Sequence, residues 1–298
     1  MQIAIIGLGR MGFHMAERLL KDKHAVIAYN RSVEKTRALK RKHKNVVVVF
    51  SLEELIATFD RQKRIIWLML PAGQATDDMI DALLPLLQKG DIIVNGANAF
   101  YKQAQAQSKR CSNYGVHLFD AGVSGGIWGL KRGYALMIGG PKNQFKYLEP
   151  FCKTLAPKNG YGYFGEVGAG HFVKSVHNII EYVYLQGLAE GMELLNNFEQ
   201  KIDLVKAAQT WQPASIVSSA LLDWMVTGLQ RKDFKAISTE ISSVTIEELQ
   251  ETVKAVQSFA PAFATAVATR KDKSKNFSLG KRVIAATRRE FGGHAVKF

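Results

Sequence analysis

The sequence predicts a doubly wound α/β sheet domain over residues 1–166, followed by an all-helical domain over residues 167–298. Three observations predict it. Short apolar runs alternate with helically periodic segments through the first half. Those runs are apolar throughout, the pattern of parallel strands covered on both faces. After about residue 166 the runs stop, and long periodic segments replace them.

The first run is Ile3–Leu8, and Met11–Leu20 behind it has helical spacing. Ala25–Tyr29 is the second run, and the basic stretch Lys35–Lys44 reads as a helix with solvated ends. Val46–Phe50 is the third run. Ser51–Thr58 follows as a helix, because Ser51 and Glu54 have the spacing of a capping box. Arg64–Leu70, Asp91–Asn95 and Val116–Asp120 are the fourth, fifth and sixth runs, with helical periodicity at Thr76–Leu87. In the second domain His171–Gln200, Ile202–Trp211, Ala214–Leu229, Thr245–Ser258 and Gly280–Phe291 read as helices.

Composition bounds the function. The 298 residues are 47% hydrophobic and 22% charged, which is globular rather than disordered. The two cysteines, Cys111 and Cys152, cannot build a disulfide framework and match no metal spacing. No metal site is expected, since no His, Cys or carboxylate cluster has ligand spacing. Arg10 interrupts the apolar start, and the longest apolar stretch, Ile65–Gly73, is too short to span a bilayer. A soluble, cytoplasmic protein without a membrane partner is expected. Lys and Arg number 40 against 26 Asp and Glu, a net charge of +14. Such an excess serves either a nucleic acid or a field that draws in small anions. No nucleic-acid motif accompanies the basic patches, so a small anionic substrate is expected and a nucleic-acid partner is not.

Gly7-Leu8-Gly9-Arg10-Met11-Gly12 follows the first strand and opens the first helix, which is the context a dinucleotide fingerprint requires. Gly7 permits a tight turn, Gly9 lets backbone approach a pyrophosphate, and Gly12 lets the helix pack on the strand. The helix N-terminus then offers free N–H groups to phosphate. The first domain is therefore expected to be Rossmann-type. The second strand ends at Tyr29-Asn30-Arg31-Ser32, about 20 residues on, where an NAD enzyme usually carries a carboxylate for the ribose. Asn30, Arg31 and Ser32 stand there instead. An Arg pairs with a 2′-phosphate that a carboxylate would repel, so NADP is expected over NAD.

Asp120–Gly126 ends in Ser124-Gly125-Gly126, whose backbone N–H groups are open to an anion such as a carboxylate. Lys174, Asn178 and Glu181 stand at i, i+4 and i+7 of one helix, within about 60° of one another, and His177 borders them. A surface ion pair would show the same spacing. Against it, Phe172, Val173, Val176, Ile179 and Ile180 leave little of this helix for solvent.

These motifs together resemble the β-hydroxyacid dehydrogenases. Within that group Lys174-x-x-His177-Asn178-x-x-Glu181-Tyr182 is similar to the 6-phosphogluconate dehydrogenases. Ile127-Trp128-Gly129-Leu130, Leu136–Gly140 and the tail Arg288–His294 look like the short bacterial form. The resemblance covers essentially the whole chain. It implies NADP-dependent oxidative decarboxylation of 6-phosphogluconate to ribulose 5-phosphate and CO2. Lys174 would be the base at the substrate's 3-hydroxyl. An amine of solution pKa about 10.4 must for this be made neutral by burial or positive neighbours. Glu181 would be the acid that protonates C1 of the enediol. Asn98 and His177 would orient the 3-hydroxyl, and Asn178 the neighbouring oxygens. Ser124, Gly125 and Gly126 would hold the carboxylate, and Tyr182 would touch the phosphate. Met69, Leu70 and Pro71 would line the nicotinamide side. Arg288 and His294 would complete the phosphate pocket of a neighbouring subunit in a homodimer or homotetramer.

The sequence departs from the family at several points. The helical Arg that holds phosphate in the family aligns with Ser218. Asn95-Gly96-Ala97-Asn98-Ala99 replaces Asp-Gly-Gly-Asn-Ser, and Thr239–Val244 lacks the family's Arg and Trp. Two other activities are therefore weighed: a dehydrogenase for another small 3-hydroxy acid, and an NADP-binding protein with weakened or lost turnover.

Overall fold

A computed structural model of the chain describes residues 1–60, 63–241 and 246–298. It falls into two compact units, Met1–Ser175 and Val176–Phe298.

The first unit is built on eight strands. They are β1 (Gln2–Ile6), β2 (Ala25–Tyr29), β3 (Val47–Val49), β4 (Ile65–Leu68), β5 (Ile92–Asn95), β6 (His117–Ser124), β7 (Ala135–Gly139) and β8 (Tyr161–Gly165). Their order in the sheet is β3-β2-β1-β4-β5-β6-β7-β8. All neighbours pair in parallel except β6 with β7, which run antiparallel. The helices between them are α1 (Arg10–Lys21), α2 (Val33–Lys42), α3 (Leu52–Ala57), α4 (Gln74–Leu83), α5 (Tyr101–Asn113), α6 (Gly129–Arg132) and α7 (Phe145–Leu155). Two apolar clusters lie on the opposite faces of the sheet. One gathers Ile3, Ile5, Trp67 and Phe119, the other Ala4, Ile6, Ile66 and Leu118. Strands whose successive residues point to both faces must be apolar throughout, as the sequence shows.

The reversal of strand order between β1 and β4 opens a crevice at the carboxyl ends of these strands. The capping box is present: Glu54 N donates to Ser51 Oγ at 3.0 Å, and Phe50 N to the Glu54 carboxylate at 2.7 Å.

Helix α8 (Ala169–Asn196) begins in the first unit and continues into the second. The second unit adds α9 (Leu204–Trp211), α10 (Ala220–Leu229) and α13 (Ser278–Gly292) around Leu185, Met192, Leu222, Met225 and Ile284, and α11 (Ile246–Ala255) and α12 (Pro261–Lys271) around a second cluster of Tyr182, Leu249, Phe263 and Val267. It holds no strand among the described residues.

The structure corrects several sequence expectations. β6 continues through Ser124 rather than ending at Asp120, because its second half pairs with β7. β7 and β8 were not foreseen: Gly139, Gly162 and Gly165 interrupt their apolar character. The helix expected at Ala214–Leu229 starts only at Ala220, where the Ser219 side chain accepts from Leu222 N. The two compact units divide inside α8, between Ser175 and Val176. Thr245, taken as the start of a helix, lies outside the described residues.

Candidate active site

Ile6, Gly7, Gly9, Tyr29, Asn30, Arg31, Ser32 and Lys35 line one side of a cavity of about 620 Å³. Met69, Leu70, Pro71 and Ala75 line the other. Two of the glycines are sterically required. Gly7 sits at φ +96°, and a Cβ there would lie 2.4 Å from Met69 O. A Cβ on Gly12 would lie 2.0 Å from Gly7 O, so only glycine lets α1 start this close to β1. Gly9 meets nothing within 4 Å, which leaves its backbone open to a ligand. Asn30 Oδ1 accepts from Leu8 N at 2.8 Å and ties the glycine loop to the end of β2. Arg31 is exposed at the rim. A dinucleotide fits this lining: open backbone at the helix start, an apolar wall opposite, and two cations, Arg31 and Lys35, beyond β2. Leu8, Arg10, Met11 and Gly12, named with the fingerprint, are not part of the lining. Leu8 and Gly12 are buried beneath the loop.

On β6, Asp120, Gly122 and Ser124 alternate along one face of the strand. The fully buried Asp120 carboxylate accepts from Gly168 N and His171 N, each at 2.7 Å, at the start of α8. A Cβ on Gly122 would fall 2.4 Å from Lys174 Cβ, and one on Gly170 would fall 2.4 Å from Met137 O. Glycine at both positions lets α8 run directly on the strands. Lys174 is thereby buried, at 9% exposure. His171, also buried, places Nε2 3.1 Å from Asn95 O. Burial pushes its imidazole below the ordinary value, and the Asp120 charge opposes that shift. After Ser124 the chain turns through Gly125 at φ +136° and Gly126 at φ +53°, conformations that favour glycine. Asn98 is exposed, three residues past β5.

In the second unit α8 carries His177, Asn178, Glu181 and Tyr182. His177 Nδ1 lies 3.1 Å from Asn178 Oδ1. Tyr182 is 3% exposed, and the Arg270 guanidinium lies over its ring at 3.9 Å from the centroid. Arg270 is buried too. Its Nη1 donates to Ala266 O at 2.9 Å, while Nε and Nη2 have no hydrogen-bond partner. Burial pulls Arg270 down to about 10, with Tyr182 and Glu181 raising it and Arg288 lowering it. Arg288 is 4% exposed, its Nε is likewise without a hydrogen-bond partner, and burial lowers it against the pull of Tyr182 and Glu181. Arg270 and Arg288 are thus both buried, and each feels the charge of Glu181. Buried charge in excess of its partners favours an anionic ligand.

Arg270 is the functional candidate that sequence reasoning missed. Ser218, which stands where the family carries its Arg, lies in an exposed turn before α10 and bonds Gln212 O. Arg288, expected in a neighbour's pocket, is buried beside its own chain's Glu181 and Tyr182. The tail is also held by its own unit. Gly293 turns the chain at φ +61°, His294 packs edge-on to Phe291 at 6.1 Å, and Ser238 N donates to Lys297 O at 2.7 Å. Glu240 pairs with Lys297. Within Thr239–Val244, residues 242–244 lie outside the described residues. Among the described residues no group of three His, Cys, Asp or Glu could hold a metal ion, and no helix is long and apolar enough to cross a membrane.

The family described as the NAD binding domain of 6-phosphogluconate dehydrogenase matches residues 2–165. A Bacillus subtilis protein, YqeC, whose naming as a 6-phosphogluconate dehydrogenase is itself provisional, is 32% identical over 100% of this chain and 99% of its own length. The NAD(+)-dependent decarboxylating 6-phosphogluconate dehydrogenase of Haloferax volcanii is 37% identical over 75% of this chain and 73% of its own. Among solved structures, Plasmodium falciparum 6-phosphogluconate dehydrogenase, seen with NADP+ and with 6-phosphogluconate, superposes with a TM-score of 0.81 at 26% identity. That match covers 91% of this chain and 61% of the Plasmodium chain. A dinucleotide cavity on a doubly wound sheet, a buried lysine at the start of α8 and these relatives agree: the chain is an NAD(P)-dependent dehydrogenase and belongs to the superfamily of 6-phosphogluconate and β-hydroxyacid dehydrogenases.

Proposed function

We propose that the protein oxidises and decarboxylates 6-phosphogluconate with NADP, yielding ribulose 5-phosphate and CO2. The observation that carries this is the pair Arg270 and Arg288, both buried and both with hydrogen-bonding capacity left over beside Tyr182 and Glu181. A phosphate dianion matches two such guanidiniums. A small 3-hydroxy acid without a phosphate leaves them uncompensated.

Lys174 takes the proton of the 3-hydroxyl. The bound nicotinamide supplies the hydride acceptor. The β-keto acid that results loses CO2, and protonated Lys174 donates to the developing enolate oxygen. Glu181 then delivers a proton to C1 of the enediol. Asn98, His177 and Asn178 orient the sugar-acid oxygens, and Ser124 with the Gly125–Gly126 turn receives the carboxylate. Arg31 pairs with the 2′-phosphate of NADP. Tyr182 serves as the platform beneath Arg270, and His294 adds to the phosphate side.

A second copy of this chain is the expected partner. Val176 and Ile180 form a short exposed apolar stripe one turn apart on α8, at 38% and 62% exposure, and Leu194 is exposed at 74% about 21 Å further along the helix. Such a stripe on a polar protein marks an association surface.

The deciding experiment measures NADP reduction and CO2 release with 6-phosphogluconate, with gluconate and 3-hydroxyisobutyrate beside it and Lys174→Ala as control. Turnover confined to the phosphorylated acid and lost in the variant supports the assignment. Turnover of an unphosphorylated acid alone overturns it.

A further inference from the structure

We propose that Asp120 is a positioning residue for Lys174, acting through the first turn of α8. This rests on the assignment of Lys174 as the base.

The start of a helix presents backbone N–H groups without intrahelical partners. At the start of α8 a fully buried carboxylate supplies the partner from a different element. Asp120 takes Gly168 N and His171 N, one on each oxygen, both at 2.7 Å. A carboxylate accepting two N–H bonds at a helix N-terminus also meets the positive end of the helix dipole. The contact is tight on every side. A Cβ on Gly139 would lie 2.6 Å from Asp120 Oδ1, and one on Gly170 would lie 2.6 Å from Asp120 O. Lys174 stands one turn beyond His171, with Cβ against Gly122. Asp120, Gly122 and Ser124 occupy the same face of β6, so one strand sets both the helix start and the turn that is to receive the substrate carboxylate. Asp120 is fully buried, and its carboxylate is held by the backbone of the α8 start. It fixes the depth and rotation at which α8 leaves the strand, and hence where the Lys174 amine points. His171 reinforces the same anchor through Asn95 O.

A residue needed only for stability would behave differently from one that aims Lys174. Asp91 provides the comparison. It is as buried as Asp120 and accepts two backbone N–H groups, Arg64 N at 2.8 Å and Gln88 N at 2.9 Å, but at the opposite end of β5. Asp120→Asn keeps the shape but turns an amide N–H toward one of the two donors. The experiment compares wild type, Asp120→Asn, Asp120→Ser and Asp91→Asn. It measures NADPH binding by fluorescence, kcat and KM with 6-phosphogluconate, and the rate at which an amine-reactive reagent labels Lys174, read by peptide mass spectrometry.

The expected result for Asp120→Asn is unchanged NADPH affinity, a kcat lower by about 100-fold, a small change in KM and severalfold faster labelling of Lys174. Asp120→Ser, which keeps a hydroxyl acceptor for one N–H, falls between it and wild type. It also stands in if the Asn variant does not fold. Asp91→Asn lowers the melting temperature and leaves Lys174 labelling at the wild-type rate. Wild-type kcat and labelling in folded Asp120 variants overturn the proposal, and so does equal loss in Asp91→Asn. If wild type shows no turnover of this substrate, the substrate assignment fails on its own. The labelling comparison then decides the role of Asp120 independently.

Discussion

The Arg270 guanidinium lies over the Tyr182 ring, 3.9 Å from its centroid, with Nε and Nη2 without a hydrogen-bond partner in a buried setting. Contact with the ring restrains how the fork is presented. Arg270→Ala removes one partner of a buried charge pair, which costs at least about 2 kcal/mol, roughly 30-fold in affinity. The KM for 6-phosphogluconate is expected to rise by that factor or more, with the KM for NADP unchanged. Arg270→Lys is expected to recover only part, since an ammonium neither stacks nor forks. Steady-state kinetics of both variants checks this, and an unchanged KM in Arg270→Ala removes the phosphate role.

At the other ligand, Arg31 stands at the cavity rim with Lys35. A hydrogen bond to a charged group contributes about 1.5–3 kcal/mol, roughly 10- to 150-fold. Arg31→Glu replaces that attraction with repulsion, so the ratio of kcat/KM for NADP over NAD is expected to fall by at least about tenfold. Arg31→Ala falls less, because Lys35 remains. Equal ratios in wild type and Arg31→Glu remove the 2′-phosphate contact.

The contrast between these two arginines shows what a sequence discloses. Arg31 is singled out by the sequence because it follows a strand end at a fixed distance from a glycine fingerprint, and it lines the cavity. The strands β1, β2, β4 and β5 were legible for a similar reason, being short, apolar and bounded. Arg270 was hidden in a run of charges, Arg270-Lys271-Asp272-Lys273, that reads as solvated surface. Its signal was on the other side. Phe263, Ala266, Val267 and Arg270 stand at i, i+3, i+4 and i+7 and are all buried on one face of α12. The Ala- and Thr-rich helix has too weak an apolar contrast to announce that face. Asp120 was invisible as an anchor because its partners are backbone groups about 50 residues away, which no local pattern encodes. β7 and β8 are not legible because sheet pairing, β7 antiparallel with β6 and β8 parallel with β7, stabilises glycine-containing segments that propensity alone disfavours.

The short stripe of Val176 and Ile180 on α8 predicts self-association. Ile180→Asp places a charge in the middle of the covered area without touching the core, since Ile180 is 62% exposed. It is expected to sediment as a monomer under conditions where wild type is dimeric or larger, with NADP binding retained. Analytical ultracentrifugation decides. A monomeric wild type refutes the expectation, as does an unchanged oligomer in the variant.

His171 makes stability pH-dependent. Burial holds its folded pKa below the usual imidazole value, with Asp120 opposing. The unfolded chain therefore binds the proton more readily, and stability rises with pH in that range. The contribution is complete above about pH 6.5 and is lost as the pH falls toward the folded pKa. His24 acts with the same sign, lowered by burial and the N-terminal ammonium against Asp22. The melting temperature is expected to fall between about pH 7.5 and 5.5, and His171→Gln is expected to flatten that slope. Thermal unfolding across this range tests it, and an equally steep slope in the variant assigns the effect elsewhere.

Gly122→Ala tests how closely Lys174 depends on the strand beneath it. The added methyl would lie 2.4 Å from Lys174 Cβ, closer than real Cβ atoms come, and a tight 3.0 Å from Gly170 O. Neither neighbour is a flexible side-chain end, so α8 must lift from β6. Overpacking of this kind costs about 1–3 kcal/mol. The same displacement carries the Lys174 amine away from its site, so kcat is expected to fall more steeply than stability. Gly9→Ala is the comparison, since a Cβ there meets nothing within 4 Å and its cost appears instead in NADP affinity. Melting curves, NADPH titration and kcat on the two variants separate the effects. A Gly122→Ala protein with wild-type kcat shows that the helix has room to settle without moving the base.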